Sequence, residues 1–119
     1  MATFLISGSR GTDDPTLATL PFMAAKTAKE QGHDVILWLW SEAVTLSRKG
    51  TADHVVGVNL TPLKDLLAAV QAANIPLWVC GACAVARGVS DKDLVGGATI
   101  KGMLDYIQAA AEREKVLAF

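Results

Sequence analysis

The chain has no basic stripe, no long apolar run and little metal-ligand chemistry, and each absence removes a class of function. Eleven Lys and Arg stand against twelve Asp and Glu, for a net charge of −1. The basic residues are scattered, whereas a nucleic-acid interface needs clustered positive charge. No apolar stretch approaches the roughly 20 residues that cross a bilayer. Met1–Ser7 lacks a basic start, and its apolar segment is too short for a signal peptide, so the expectation is a cytoplasmic protein. The two histidines, His33 and His54, lie at spacings unrelated to the two cysteines. Zinc would need Cys80, Cys83 and two further ligands, so no metal site and no cofactor are expected. Ser7-Gly8-Ser9-Arg10-Gly11-Thr12 lacks both the Gly-Lys-Ser/Thr ending of a phosphate loop and the three-glycine dinucleotide spacing.

What the chain does have is apolar side chain. Of its 119 residues, 51% are hydrophobic and only 19% charged. That length makes one domain, 1–119, with a single core. So small a domain cannot hide that much apolar surface alone, and a homo-oligomer is expected.

Apolar runs alternate with helical patterns, the signature of a parallel sheet with covering helices. Thr3–Ser7 reads as a buried strand stopping at Gly8. Asp14 and Pro15 then open a helix to about Gln31, with Leu17, Leu20, Ala24 and Ala28 on one side. Pro21 should either kink this helix or delay its start to about Thr19. After the Gly32 stop, with His33 as a partner for the helix dipole, Asp34–Trp40 reads as a central strand, apolar on both faces. Ser41–Lys49 suggests a short helix, and Thr51–Leu60 a loop or minor edge strand. Thr61 should cap a helix begun by Pro62, with Leu63, Leu66, Leu67 and Val70 on its inner face. Ile75–Val79 is the next strand. Ser90-Asp91-Lys92-Asp93 fits a capping box. Thr99 should cap a last helix with Ile100, Met103, Leu104, Ile107 and Ala111 inward, before a terminal strand at Val116–Phe119. The fold class is therefore α/β: a three-layer sandwich on a mostly parallel sheet of about five strands.

Ligands of such sheets bind beyond the carboxyl ends of the strands. Three segments should meet there: Ser7–Asp14, Trp40–Ala43 and Cys80–Arg87. Cys80 ends a strand and opens a helix, where unpaired backbone N–H groups favour a thiolate. If Gly81–Arg87 is helical, Cys80, Cys83 and Arg87 share one face, and Arg87 becomes an anion partner for the thiols. Cys80 then reads as a nucleophile and Cys83 as a thiol able to resolve it. The same pair also reads as two small buried hydrophobes, because free cysteine is among the most buried residue types. Asp13 and Asp14 fit helix capping, while Glu42 fits either a general base or the start of the short helix. Trp38, Trp40 and Trp78 fit core or subunit-interface packing, and His54 a solvated loop.

Phe4-Leu5-Ile6-Ser7-Gly8 with Thr12-Asp13-Asp14-Pro15, Gln31-Gly32-His33-Asp34-Val35, and Cys80 through Val89 together resemble the DsrE/DsrF-like family over essentially the full chain. The resemblance implies a flavodoxin-like α/β fold and assembly as a dimer, trimer or hexamer. Some members, such as TusD-like sulfur-relay subunits, carry sulfur as a cysteine persulfide. Anchored on Arg87-Gly88-Val89, that role falls on Cys80, while Cys83 is an additional thiol similar to a stand-alone branch of the family. Gly8, Asp13, Trp40, Gly81 and Arg87 are the expected substrate-binding residues around the two catalytic cysteines. The implied function is a sulfur carrier or sulfurtransferase-like protein with protein donors and acceptors. Two alternatives stay open: a thiol–disulfide redox module using Cys80 and Cys83, or a non-catalytic binding subunit in which both cysteines only pack.

Overall fold

The computed structural model describes residues Met1–Phe119. Five strands form the sheet: β1 Thr3–Gly8, β2 Asp34–Leu39, β3 Leu77–Cys80, β4 Ala98–Lys101 and β5 Lys115–Ala118. All neighbouring pairs are parallel, in the order β4-β3-β2-β1-β5. The helices are α1 Pro15–Glu30, α2 Leu63–Ala72, α3 Gly81–Ala86 and α4 Met103–Glu112. None is long and apolar enough to cross a membrane.

The chain steps from β1 to β4 in one direction, then returns across the whole sheet to β5. α1 and α2 cover one face of the sheet, and α4 lies on the other, where Ala84 of α3 packs in the same cluster. Packing agrees with this division. Ile6, Leu37, Leu39 and Leu77 cluster with Ala18, Phe22 and Ala25 of α1 and Leu63, Leu66, Leu67 and Val70 of α2. Leu5, Ile36 and Trp38 cluster instead with Tyr106 and Ala109 of α4. β2 is buried from Val35 to Leu39, as a central parallel strand requires.

The helix boundaries follow local chemistry. An Asp14 carboxylate oxygen accepts from the Leu17 N–H at 3.0 Å, and Pro15 takes the first helical position. α1 therefore starts at Pro15, not at Thr19, and continues through Pro21. The ring of Pro21 packs on Gly8, with Cγ 2.8 Å from where a Cβ would stand, so a larger residue at position 8 would displace it. That contact and the Asp14 cap fix the phase of α1. Its inward residues are Ala18, Phe22 and Ala25, and Leu17 is exposed, unlike the expected Leu17–Ala28 stripe.

Several local expectations are corrected. Ser41–Ser47 and Thr51–His54 are 3₁₀ turns, and no strand forms between residues 51 and 60. Pro62, not Thr61, stands at the N-cap of α2, with no side-chain bond to the helix. His33 serves the amino-terminal segment rather than the α1 dipole: its Nδ1 accepts from the Ala2 N–H at 2.9 Å, and its ring lies 5.2 Å from Phe4. The Ser90–Asp93 capping box forms as expected, around a 3₁₀ turn.

The largest correction concerns the carboxyl-terminal third. Ala98–Lys101 is a strand beside β3, not the start of the last helix, which begins after Gly102. An Asp105 carboxylate oxygen accepts from the Gly102 N–H at 2.9 Å and sets the start of α4. From that start Tyr106 and Ala109 turn inward. Met103, Leu104 and Ile107 turn out to 51%, 74% and 56% exposure, the reverse of the expected packing, and Ala111 is exposed with them.

Candidate functional site

β3 ends at Cys80 and α3 begins at the next residue, so the chain turns a tight corner at the carboxyl edge of the sheet. Gly81 makes the corner possible beside β4: a Cβ there would stand 3.3 Å from Ile100 Cγ2. Cys80 lies opposite Lys101 in the β3–β4 register, and Trp78 opposite Trp38 in β2. Both cysteines are free.

The two sulfurs differ in environment. Cys80 is only 6% exposed, in a cluster with Trp38, Val79, Ala84 and Val89, whereas Cys83 is half-buried. Burial pushes the Cys80 thiol above its ordinary pKa. The backbone amides of Cys83 and Ala82 act the other way and favour the anion, but burial dominates. The Cys83 side chain is close enough to help hold the Cys80 proton. The expectation of a stabilised Cys80 thiolate is thus overturned in the resting protein. The six-residue α3 offers only a short run of peptide dipoles, and the apolar cluster around the sulfur costs the anion more than they return.

Arg87 is also placed differently. It sits at the end of α3, where its Nε donates to Glu42 Oε1 at 2.6 Å and its terminal nitrogen to the Cys83 carbonyl at 3.2 Å. Its partners are therefore a carboxylate and a carbonyl, not a sulfur. Glu42 opens the Ser41–Ser47 turn, and its carbonyl lies 2.6 Å from where a Gly11 Cβ would stand. Residues around 11, 42, 83 and 87 consequently meet, as the three-segment expectation required. Gly11 was not among the expected site residues, and its signal is that only a glycine admits so close a backbone.

The other expected binding residues lie further off in role. Asp13 is exposed and shapes its own loop, accepting from the Gly11 N–H at 2.8 Å and pairing with Arg10 at 3.2 Å. The Gly11 amide is the chief cause that lowers the Asp13 carboxyl pKa. Gly8 is buried, and its carbonyl accepts from the Trp40 N–H at 3.1 Å. The Trp40 ring lies 4.7 Å from Tyr106 and 6.1 Å edge-on from Trp38. Trp40 thus belongs to an aromatic cluster under α4. Trp38, at its centre, keeps a buried indole N–H without a hydrogen-bond partner. Lys101, likewise not expected at the site, lies 5.1 Å over the Trp78 ring.

No group of three or more His, Cys, Asp and Glu side chains comes together for a metal. The surface hollows lie elsewhere: beside Asn74 and Gly97, beside Trp78 and Gln108 under α4, and between α1 and α2 at Lys26 and Ala73. None is lined by Cys80 or Cys83.

A parallel α/β domain whose carboxyl edge carries a paired-cysteine corner defines a small thiol-bearing module. The chain belongs to the DsrE/DsrF-like family, whose model matches residues 2–119. It is 30% identical over 101 residues to Protein YchN of Escherichia coli K12, covering 85% of this chain and 83% of that one. An uncharacterised Methanocaldococcus jannaschii protein, MJ0989, is 32% identical over 95 residues, covering 80% of each. The crystal structure of E. coli YchN matches with a TM-score of 0.85 at 25% identity, covering 100% of both chains. A Bacteroides thetaiotaomicron protein of unknown function shares the fold, with a TM-score of 0.71 at 20% identity over 99% of this chain and 95% of its own.

Proposed function

We propose that the protein is a sulfur carrier that holds one sulfane sulfur on Cys80. The observation that carries this reading is a pair of free thiols one turn apart at the sheet's carboxyl edge, where folds of this class take their ligands. Membership of a family related to sulfur-relay proteins supports the same position.

In the step itself, the Cys80 sulfur attacks the outer sulfur of a donor persulfide. The new S–S bond forms as the donor's S–S bond breaks, and the donor leaves as a thiol that takes up the Cys80 proton. An acceptor thiolate then attacks the outer sulfur, and Cys80 is the leaving group. The raised thiol pKa keeps the resting sulfur protonated and so protects it from oxidation. The amides of Cys83 and Ala82, which favour an anion there, serve the loaded state. The donor and acceptor are proteins that dock on the carboxyl edge.

The carrier self-associates through the outer side of α4, where Met103, Leu104 and Ile107 stand exposed on a chain that is 51% hydrophobic. A second reading, a thiol–disulfide module, is favoured by the closeness of Cys83 to Cys80. Incubating the reduced protein with glutathione persulfide and weighing it tests the carrier. An adduct of about 32 Da, one sulfur atom, is expected, and it is expected to vanish in Cys80→Ser. An adduct that survives in Cys80→Ser removes the assignment to this residue.

A further inference from the structure

The two cysteines stand at the residue before α3 and at its third residue, i and i+3 on one short turn. Neighbours at that spacing have Cβ atoms roughly 5–6 Å apart, and the Cys83 side chain lies within hydrogen-bond reach of the Cys80 sulfur, so a small backbone shift in this one turn reaches the mean Cβ separation of about 3.8 Å across a disulfide. The inner sulfur is buried and the other half-buried. Neither is committed elsewhere: both are free, and Arg87 engages the Cys83 carbonyl, leaving its sulfur unoccupied.

Resting on the carrier reading above, we infer that Cys83 discharges the Cys80 persulfide as sulfide, so that the protein's product is an inorganic sulfur species and not only a sulfur handed to a protein thiol. The Cys83 thiolate attacks the inner sulfur of the loaded Cys80. The Cys80–Cys83 bond forms as the bond to the outer sulfur breaks, and that sulfur departs as hydrosulfide. In balance, the Cys80 persulfide and the Cys83 thiol give the Cys80–Cys83 disulfide and one molecule of hydrogen sulfide. The sulfane sulfur takes up two electrons, and the two cysteine sulfurs supply them. No outside oxidant is consumed. A dithiol reductant returns the disulfide to two thiols before the next load.

The geometry gives the step its direction. Cys83 stands beside the inner sulfur, fixed by the length of one helical turn, whereas the outer sulfur extends one further bond of about 2.05 Å. Intramolecular attack on the inner sulfur therefore competes with transfer of the outer one. Which route wins depends on whether an acceptor is docked. Holding the turn rigid favours discharge, because the effective concentration of a tethered nucleophile exceeds that of a free one.

The test uses the full chain, reduced, loaded with a stoichiometric amount of glutathione persulfide, and passed through a desalting column. Sulfide is then followed with an electrode and protein mass by electrospray. The wild-type protein is expected to release about one sulfide per adduct and to end about 2 Da below the reduced mass, the signature of a disulfide. Cys83→Ser is expected to keep its adduct, with sulfide release at least tenfold slower. Wild-type protein that holds its adduct as long as Cys83→Ser overturns this inference and leaves the carrier standing. Failure of both to acquire an adduct overturns the carrier as well.

Discussion

Arg87 ties the end of α3 to the turn that follows β2, donating to Glu42 Oε1 at 2.6 Å and to the Cys83 carbonyl at 3.2 Å. One guanidinium thereby clamps the turn that carries both cysteines. The pair is partly exposed, so its direct worth to stability is small, about 0–1 kcal/mol.

Its mechanical effect is larger than its stability. Arg87→Ala and Glu42→Gln are both expected to leave the melting temperature within a few degrees and to raise the alkylation rate of Cys83 several-fold, because α3 frays without its clamp. Arg87→Lys should behave as Arg87→Ala, since an ammonium cannot reproduce the two-way fork. Iodoacetamide rates by mass spectrometry check this. Unchanged rates in all three variants would leave the clamp without effect on the cysteines.

The two thiols should react in order. Cys83 is half-buried and is expected to alkylate first at neutral pH, while Cys80 stays protonated and covered. Raising the pH should bring Cys80 into reaction with a midpoint above the ordinary thiol value of about 8.5. The same displacement acts on stability. Cys80 binds its proton more tightly folded than unfolded, so its contribution is complete below the ordinary thiol range and is lost as the pH rises through the raised folded value. Denaturant unfolding should therefore fall more steeply from about pH 8 upward in wild type than in Cys80→Ala. Cys80 labelling ahead of Cys83 at pH 7 would contradict the order.

Much of this was legible in the residues. The continuous apolar run of β2, the Asp14–Pro15 start of α1 and the Ser90–Asp93 box are local signals, and each formed as its residues dictate. The carboxyl-terminal third was not. Ala98–Lys101 has no apolar run to announce a strand, and it becomes one only because β3 offers it an edge. The outward turn of Leu104 and Ile107 is equally non-local: it follows from the Gly102–Asp105 start and from Tyr106 facing Trp38. At the site, the strand–helix corner was readable, but the state of Cys80 was not. Local dipoles point to a thiolate, whereas the burial that defeats them comes from Trp38 and Val89, 42 residues before and 9 after in the chain.

The proposed self-association through α4 predicts that charge on its outer side will separate the subunits. Leu104→Glu and Ile107→Glu replace exposed side chains, so the fold should survive with circular dichroism and melting behaviour little changed. Light scattering behind a sizing column is expected to give a multiple of the 12.5 kDa chain mass for wild type and a smaller species for the double variant. A wild-type monomer at micromolar concentration, or an assembly indifferent to both glutamates, would exclude this helix as the contact.

The Ser7–Tyr106 bond predicts a measurable coupling between the sheet and α4. Ser7 Oγ donates to the Tyr106 hydroxyl at 3.2 Å, with both side chains buried. Tyr106→Phe removes the acceptor while leaving the ring against Trp38 and Trp40, so packing is nearly conserved. What remains is a buried serine hydroxyl without its partner, at a cost of about 1–3 kcal/mol. Adding Ser7→Ala removes that stranded hydroxyl, and the double variant is expected to recover most of the loss. A coupling energy of about 1 kcal/mol from the urea-unfolding cycle would match a buried hydrogen bond. Strictly additive losses would mean that the two hydroxyls find other partners in solution, and that α4 is held on the sheet by its aromatic contacts alone.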